Sequence, residues 1–599
     1  MNPFKTALFG LALAGLGAGL LGPAEWRIVA LQAVSIFVLA VLFREIALSL
    51  WRGEFGLDFV AALSISAALA FGEPLAASVV ALMYAGGQLL EDYAASRAKA
   101  EMTALLGRLP KTALRYTDGE LELCNISDLV PGDRLLVRQG DVVPADGIVH
   151  SGTALLDLSA LTGESVPVKR AKGEEVPSGS ANMDVAFDLG VVRRAEDSAY
   201  SAIVSMVKAA QEAKAPSVRL ADRYAVWFLF FTLLLAGAAW WASGDKLRML
   251  AVLVVATPCP LILAVPVALI SGLSRAAHRG VLLKGGDVLE RLAKARVLVA
   301  DKTGTLTTGH AALVRVDAQR GFEAKDVLRL AASLDQASAH AIAVSIVKSA
   351  REQGLVLSEP KSADETAGEG VVGNVDGRRI AVGGVKFVSR ILKGRKSPLK
   401  TGNPGEVLVA VAVGGRFAGW IVLADQLRTD AGAALDALRK AGISRVVLAS
   451  GDSANVVDRI ASELGIAHRH GDMTPEDKVR LVTAERANGP VIMAGDGVND
   501  APALAAADVG IAMGARGSAA SAEAADAILL SDNLRHIADA VRISQRALAI
   551  ATQSVIAGLG LSAAAMFVAA FGYLPPVQGA LVQEAIDVAV ILNALRALK

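Results

Sequence analysis

The apolar run Val297-Leu298-Val299-Ala300 ends in Asp301, and the turn-prone Lys302-Thr303-Gly304-Thr305 follows at once. A carboxylate at the C-terminal end of a parallel strand stands where open α/β sheets bind ligands. Placed there, Asp301 can attack a phosphoanhydride and become an aspartyl-phosphate, provided nearby groups neutralise the charge. Such an intermediate must later be hydrolysed by a water that a carboxylate orients and deprotonates. Glu164 in Thr162-Gly163-Glu164-Ser165 is the candidate. Two more apolar strands run into acids: 446–449 into Ser450-Gly451-Asp452, and 491–494 into Gly495-Asp496-Gly497-Val498-Asn499-Asp500. Carboxylates gathered around a nucleophile suit Mg²⁺, a hard cation that takes oxygen ligands and shields phosphate. Asp301, Asp496 and Asp500 are its candidate ligands, with Asn499 near the phosphate. Lys478, in Asp472-Met473-Thr474-Pro475-Glu476-Asp477-Lys478, offers a fixed positive charge for the transferring phosphoryl group. No GxxxxGK[ST] occurs, which excludes a P-loop as the engine.

An isolated DxxG is an ordinary turn, but Asp301-Lys302-Thr303-Gly304-Thr305-Leu306-Thr307 is far more specific. With the Thr-Gly-Glu-Ser and Gly-Asp-Gly-Val-Asn-Asp stretches, it resembles the signature set of P-type ATPases. The resemblance implies ATP as phosphoryl donor, Mg²⁺ as cofactor, and catalytic roles for Asp301, Thr303, Glu164, Lys478 and Asp425. Asp425 and Arg428 match the family's DxxR element, and Ser450-Gly451-Asp452 stands where Thr-Gly-Asp is usual.

The chain as a whole is 53% hydrophobic yet 20% charged, with a mean hydropathy of +0.46. That balance suits a membrane protein with large soluble insertions. A net charge of +1 and the lack of any basic run interleaved with aromatics exclude nucleic acid as a partner. Two cysteines, Cys124 and Cys259, are too few for a disulfide framework. The first apolar run leads directly into a second, so it reads as a retained anchor rather than a signal peptide. Apolar stretches near 6–22, 27–48, 57–72, 74–92, 224–242, 248–274, 552–572 and 576–595 suggest eight spans. An even number puts both termini and both long insertions on one side. Arg97, Lys99, Arg108 and Lys111 flank the first insertion, and Arg275, Arg279 and Lys284 flank the second. The positive-inside rule therefore places both in the cytoplasm of a multi-pass protein, with a bacterial inner membrane as the expected location.

The expected fold class is thus a multidomain membrane protein: eight transmembrane α-helices, a cytosolic β-rich actuator domain, an α/β haloacid-dehalogenase-like phosphorylation domain and an α+β nucleotide-binding domain. Expected boundaries are 1–94 for helices one to four, 95–215 for the actuator and 216–279 for helices five and six. The phosphorylation domain takes 280–311 and 425–547, the nucleotide-binding domain 312–424, and the last two helices 548–599.

In the heavy-metal branch, the nucleotide is held by a Ser-Glu-His-Pro motif and a Glu…Gly-x-Gly motif. Here Ser338-Ala339-His340-Ala341 keeps Ser and His, and Gly368-Glu369-Gly370 keeps both glycines. Family spacing puts Asp364, or its neighbour Glu365, at the acidic position. For the cargo, Ala256-Thr257-Pro258-Cys259-Pro260 resembles the Cys-Pro-Cys membrane site, with Thr257 in place of the first cysteine. Its prolines should unwind the helix and free carbonyls. Soft Cu(I) favours sulfur-rich sites, whereas one thiolate with oxygen donors suits divalent first-row ions. Gln583, Glu584 and Asp587 in the last span supply such donors, Glu584 and Asp587 lying three apart on one helical face. The zinc/cadmium/lead branch has a lysine where spacing from Gln553 puts Ser562. Asp58, Glu91 and Asp222, each near a helix end, are read by resemblance as stations on the ion pathway. No Cys-x-x-Cys module precedes the first span, so metal is expected to load directly into the membrane site. The partners implied are a divalent transition metal and the lipid bilayer; no obligatory protein partner is implied, and a monomer is expected. A potassium-pump catalytic subunit and a membrane-anchored phosphatase or metal sensor are the competing readings.

Overall fold

The structure, a computed structural model, describes residues 3–51, 58–106, 110, 112–158, 167–198, 201, 216–256, 259–366, 368–392, 402–403, 405–496, 500–513, 524–531 and 533–598. Glu164 and Asn499 lie outside the described residues, and Asp58, Glu91, Asp222 and Cys259 are described by their backbone alone. The chain forms two compact units, Met1–Lys294 with Asp526–Ser531 and His536–Lys599, and Ala295–Ala525 with Asp532–Arg535.

The first unit begins with the helices Pro3–Leu21, Ala24–Trp51, Asp58–Ala70 and Pro74–Leu106. Small residues let them approach closely: a Cβ on Gly19 would lie 2.4 Å from Leu31, and one on Gly15 2.7 Å from Val34. Val38, Leu42, Ile65 and Ala81 are fully buried where these helices meet. After the insertion come the helices Pro216–Ser243, Lys246–Val255 and Cys259–His278, and the unit closes with Arg535–Ala570 and Pro576–Ala594. Among the described residues three helices are long and apolar enough to cross a membrane: Pro3–Leu21, Ala24–Leu48 and Arg535–Ala570. The count of eight is therefore not reached on length and hydropathy, for three physical reasons. Phe59–Ala70, Pro74–Leu90 and Trp227–Ser243 are apolar but short. The chain between Lys246 and His278 forms two helices rather than one, with 257–258 between them. The last helix carries Gln583, Glu584 and Asp587. Near the end of the helix Lys246–Val255, the carbonyl of Leu253 accepts from Ser64 Oγ at 2.9 Å.

The insertion within this unit is β-rich. Its larger sheet joins Thr112–Thr117, Glu120–Asn125, Arg134–Val137, Gly147–Ser151, Glu175–Val176 and Phe187–Val191 through antiparallel neighbours. Alternating Leu135, Val137, Phe187 and Leu189 fill its core.

The second unit holds two sheets. One is parallel, in the spatial order Val509–Ala512, Val491–Gly495, Val297–Asp301, Arg445–Ala449, His468–His470. Val297–Asp301 is its central strand and is buried throughout, as a continuous apolar run covered on both faces must be. The other is antiparallel, in the order Thr307–Ala318, Arg416–Leu427, Glu406–Val413, Arg378–Gly383, Gly370–Val375, Lys361–Thr366. The helices Ala324–Asp335 and Ala341–Glu352 share an apolar core with it through Val327, Leu328, Ile346, Ile380 and Ile421. The long ribbon Thr307–Ala318 with Arg416–Leu427 crosses the boundaries expected at 312 and 424, so the antiparallel sheet grows directly out of the Asp301 loop.

Candidate functional site

Asp301 ends the central parallel strand, 4% exposed, and the loop that follows turns back through Gly304 at φ 69°. That backbone conformation favours glycine, and a Cβ there would lie 3.0 Å from the Cβ of Asp496. Arg428 holds the loop from the other side. Its Nε donates to the Thr305 carbonyl at 2.8 Å, and an Nη donates to the Gly304 carbonyl at 3.0 Å. Asp425 accepts from the Gly309 backbone at 3.0 Å and lies 2.6 Å from Thr307 Oγ1. Asp425 thus braces the loop rather than facing Asp301. Lys302 is buried and pairs with Asp452, with Asp425 at 3.6 Å; Thr303 is exposed.

Lys478 reaches the same place by a different device. Thr474 caps the helix Pro475–Glu485 in a reciprocal box with Asp477, and Pro475 takes the first helical position. Lys478 is thereby fixed in the first turn with its side chain turned inward, 7% exposed. Its Nζ donates to Asp301 Oδ1 and to Asp500 Oδ1, both at 2.6 Å. Asp500, 1% exposed, lies against Gly495, where a Cβ would meet its Oδ2 at 2.5 Å. Two carboxylates therefore share one buried ammonium. Burial raises the Asp301 carboxyl to about 7, and Asp500 pushes it the same way against the pull of Lys478. Burial works against the charge on Lys478, but Asp301 and Asp500 outweigh it and hold the ammonium above its ordinary range.

This donor set fits a hard divalent cation. Its acids carry more negative charge than Lys478 balances, and all offer oxygen. Among the described residues no group of three or more His, Cys, Asp or Glu side chains is arranged to hold a metal ion. That suits Mg²⁺, which usually takes one or two carboxylates and completes its shell with water and substrate phosphate.

A cleft of about 500 Å³ opens on the antiparallel sheet. His340, Gly368 and Gly370 line it. His340 also caps the helix Ala341–Glu352, its Nδ1 accepting from the Ile342 backbone at 3.2 Å. Asp364 does not line the cleft; its neighbour Glu365 does, and accepts from Ser338 Oγ at 2.6 Å. Successive strand residues face opposite sides, so only one of the two can point in. Sequence reasoning missed Asp335. It ends the helix Ala324–Asp335, is 3% exposed and lines the cleft, and burial raises it to about 7, reinforced by Glu365. An acid at the end of an amphipathic helix, five residues before His340, was the available signal.

In the last helix Gln583, 0% exposed, donates from Nε2 to Asp587 Oδ1 at 2.8 Å, and Ser562 Oγ donates to Gln583 Oε1 at 3.0 Å. The pairing runs between positions four apart. Glu584 turns elsewhere: its Oε1 lies 4.0 Å from where a Cβ on Gly86 would sit. Asp587 is thus bonded to Gln583, and Gln583 in turn to Ser562.

The P-type ATPase actuator domain family matches residues 107–208, and the haloacid dehalogenase-like hydrolase family matches 295–508. A zinc/cadmium/lead-transporting P-type ATPase of Escherichia coli (strain K12) is 35% identical over 559 residues, covering 91% of this chain and 75% of that protein. A silver exporting P-type ATPase of Salmonella typhimurium is 36% identical over 545 residues, 87% of this chain and 66% of that protein. The crystal structure of a zinc-transporting PIB-type ATPase in the E2.Pi state superposes with a TM-score of 0.67 at 31% identity, covering 99% of each chain.

Proposed function

The chain belongs to the heavy-metal-transporting P-type ATPases, and from that membership we propose that it exports a divalent transition-metal ion, of the zinc, cobalt, nickel, iron or cadmium class, through an aspartyl-phosphate on Asp301. Membership sets aside the potassium-pump and anchored-phosphatase readings. The observation that carries the divalent cargo is the donor set of the expected spans: one cysteine in Thr-Pro-Cys-Pro, and in the last two helices the buried, mutually hydrogen-bonded oxygen side chains of Ser562, Gln583 and Asp587. A single thiolate among carboxylate and amide oxygens favours divalent first-row ions over Cu(I) or Ag(I). Cys259, Glu584 and Asp587 are the proposed cargo ligands, Gln583 and Ser562 position Asp587, and Asp58, Glu91 and Asp222 mark the path.

In the soluble machinery, an Asp301 carboxylate oxygen attacks the terminal phosphorus of ATP and the bond to the leaving ADP oxygen breaks. Lys478 balances the charge gathered at Asp301 and Asp500. Bound Mg²⁺ would be held by one or two of the carboxylates Asp301, Asp496 and Asp500 and would shield the phosphate charge. Glu164 then orients the water that attacks the phosphorus, takes its proton and returns Asp301 to the carboxylate. His340, Asp335, Glu365, Gly368 and Gly370 hold the nucleotide. We infer eight spans, with both insertions on the cytoplasmic side of a bacterial inner membrane.

The test is ATP hydrolysis by the purified pump across Zn²⁺, Co²⁺, Ni²⁺, Fe²⁺, Mn²⁺, Cd²⁺, Cu⁺, Ag⁺ and K⁺. Stimulation by a divalent transition metal is expected, together with an acid-stable phosphoenzyme that Asp301→Asn abolishes. Stronger stimulation by Cu⁺ or Ag⁺ would overturn the cargo, and phosphoenzyme persisting in Asp301→Asn would overturn the mechanism.

A further inference from the structure

The charges around the nucleotide cleft do not balance for an anionic ligand until one more residue is counted. Three acids line it: Asp335, Glu365 and Glu369. Each is already accounted for. Burial holds Asp335 largely protonated up to about pH 7, Glu365 accepts from Ser338, and Glu369 is paired with Arg390. Arg390 itself lies over the Phe387 ring, 5.8 Å from its centroid. Lys386 also lines the cleft, is exposed, and makes no ion pair or hydrogen bond among the described residues.

Its position in the cleft identifies what it meets. The floor and one wall are apolar, built from Ile342, Ile346, Val371, Val382 and Val409. A nucleobase gains by entering that depth, whereas a triphosphate keeps its hydration by staying at the mouth. At the mouth two glycine-bearing turns touch: the Gly384 backbone donates to the Glu369 carbonyl at 2.9 Å, and a Cβ on Gly383 would lie 2.7 Å from the Gly370 Cα. Beside them the backbone is open: a Cβ on Gly368 would meet nothing within 4 Å and one on Gly384 only the Glu369 carbonyl at 3.7 Å, and Lys386 follows Gly383-Gly384-Val385 directly.

We propose that Lys386 is the phosphate contact of the nucleotide cleft, a binding residue that gives ATP its advantage over adenosine at this site. The proposal rests on the reading of the cleft as the ATP site and names the group that reads the charged end of that ligand. An ammonium is a point charge with three donors, suited to a mobile polyphosphate. It also follows that Glu369, tied to Arg390, is kept from repelling the phosphates.

The experiment compares ATP and adenosine binding to the full-length pump and to Lys386→Ala, Lys386→Arg and Gly370→Val by calorimetry, with the KM for ATP in parallel. Lys386→Ala is expected to weaken ATP about fivefold to tenfold, the lower range for a charge-assisted contact of an exposed side chain, while leaving adenosine unchanged. Lys386→Arg is expected to recover most of the loss, because any cation on a long stem can reach the same oxygens. Equal weakening of ATP and adenosine by Lys386→Ala, or no change in either, overturns the proposal. Gly370→Val separates it from the underlying reading, since a Cβ there already meets the Val382 carbonyl at 2.4 Å and Phe387 at 2.7 Å. If Gly370→Val leaves ATP binding intact, the cleft is not the ATP site. If it abolishes binding while Lys386→Ala does nothing, the cleft stands and the lysine contact falls.

Discussion

Asp301 and Asp500 each lie 2.6 Å from the same Lys478 ammonium, and both carboxylates are nearly inaccessible to water. Burial is the main reason the Asp301 carboxyl sits near 7, and Asp500 adds to it against the pull of Lys478. The sign of the stability effect follows. Between about pH 4 and about 7 the folded chain keeps a proton on Asp301 that the unfolded chain has released, so this residue's contribution falls as pH rises through that window and stays lost above it. Asp301→Asn removes the excess charge and keeps the shape. In nucleotide-free, Mg²⁺-free protein its melting temperature at pH 8 should exceed that of the parent by a few degrees, roughly the shift expected from a kcal/mol in a large chain. At pH 5 the two should converge; a variant that melts lower at pH 8 would show that Lys478 needs both carboxylates. The same logic applies in the nucleotide cleft. Asp335 is held near 7 by burial, with Glu365 adding to the effect, and His340 and Lys386 line the same space. Below pH 7 its protonated carboxyl can both donate and accept toward a nucleobase. ATP affinity should therefore weaken as pH rises past 7, and Asp335→Asn should flatten that profile. A variant that keeps the parent's profile would show that Asp335 is not the group responsible.

At the scale of elements, the phosphorylation loop is held by its neighbours more than by itself. Arg428 bonds the carbonyls of Thr305 and Gly304, and Asp425 takes the Gly309 backbone, so both ends of a glycine-containing turn are pinned from one short segment. Arg428→Ala leaves these carbonyls without their donor and lets Asp301 wander. The rate of phosphoenzyme formation should fall roughly ten- to hundredfold, as small misplacements of reacting groups do, with ATP affinity nearly unchanged. A parallel loss of ATP affinity would mean that the segment supports the whole unit instead. The strand–acid pattern of Val297–Asp301, Arg445–Ala449 and Val491–Gly495 was legible because these buried strands carry apolar runs that lead to Asp301, Asp452 and Asp496, whereas the exposed His468–His470 gave no such signal. Other features were not legible, because they depend on side-chain direction. Nothing in the sequence told Asp364 from Glu365, which differ by one strand position and so by one face. Nothing showed that Asp587 would join Gln583 and Ser562 while Glu584 turned to Gly86, since three-apart and four-apart neighbours both lie on one side of a helix. Asp335 was hidden because an acid at a helix end normally reads as solvated.

For the whole molecule, the insertion matching the actuator family and the one carrying Asp301 are separated by the helices Pro216–Ser243, Lys246–Val255 and Cys259–His278. If the first of these crosses the bilayer and the last two cross it together as one broken span, both insertions must share a side, whatever the total number of spans. That parity matters for the proposed mechanism, in which Glu164 of the first insertion serves a phosphate formed on Asp301 in the second. Under the positive-inside rule, Arg97, Lys99, Arg275 and Arg279 beside both insertions are the basis for proposing the cytoplasm as that side. Inside-out vesicles should therefore accumulate a divalent metal when ATP is added outside, and protease added there should cut both insertions. Right-side-out vesicles should show neither effect. Asp587→Ala should stop accumulation and metal-stimulated ATPase together, because removing a buried cargo ligand uncouples the trigger as well as the load. If protease reaches only one insertion from a given face, the break before Cys259 does not lie within a single span, and the proposed single-cysteine site would have to be rebuilt from different helices.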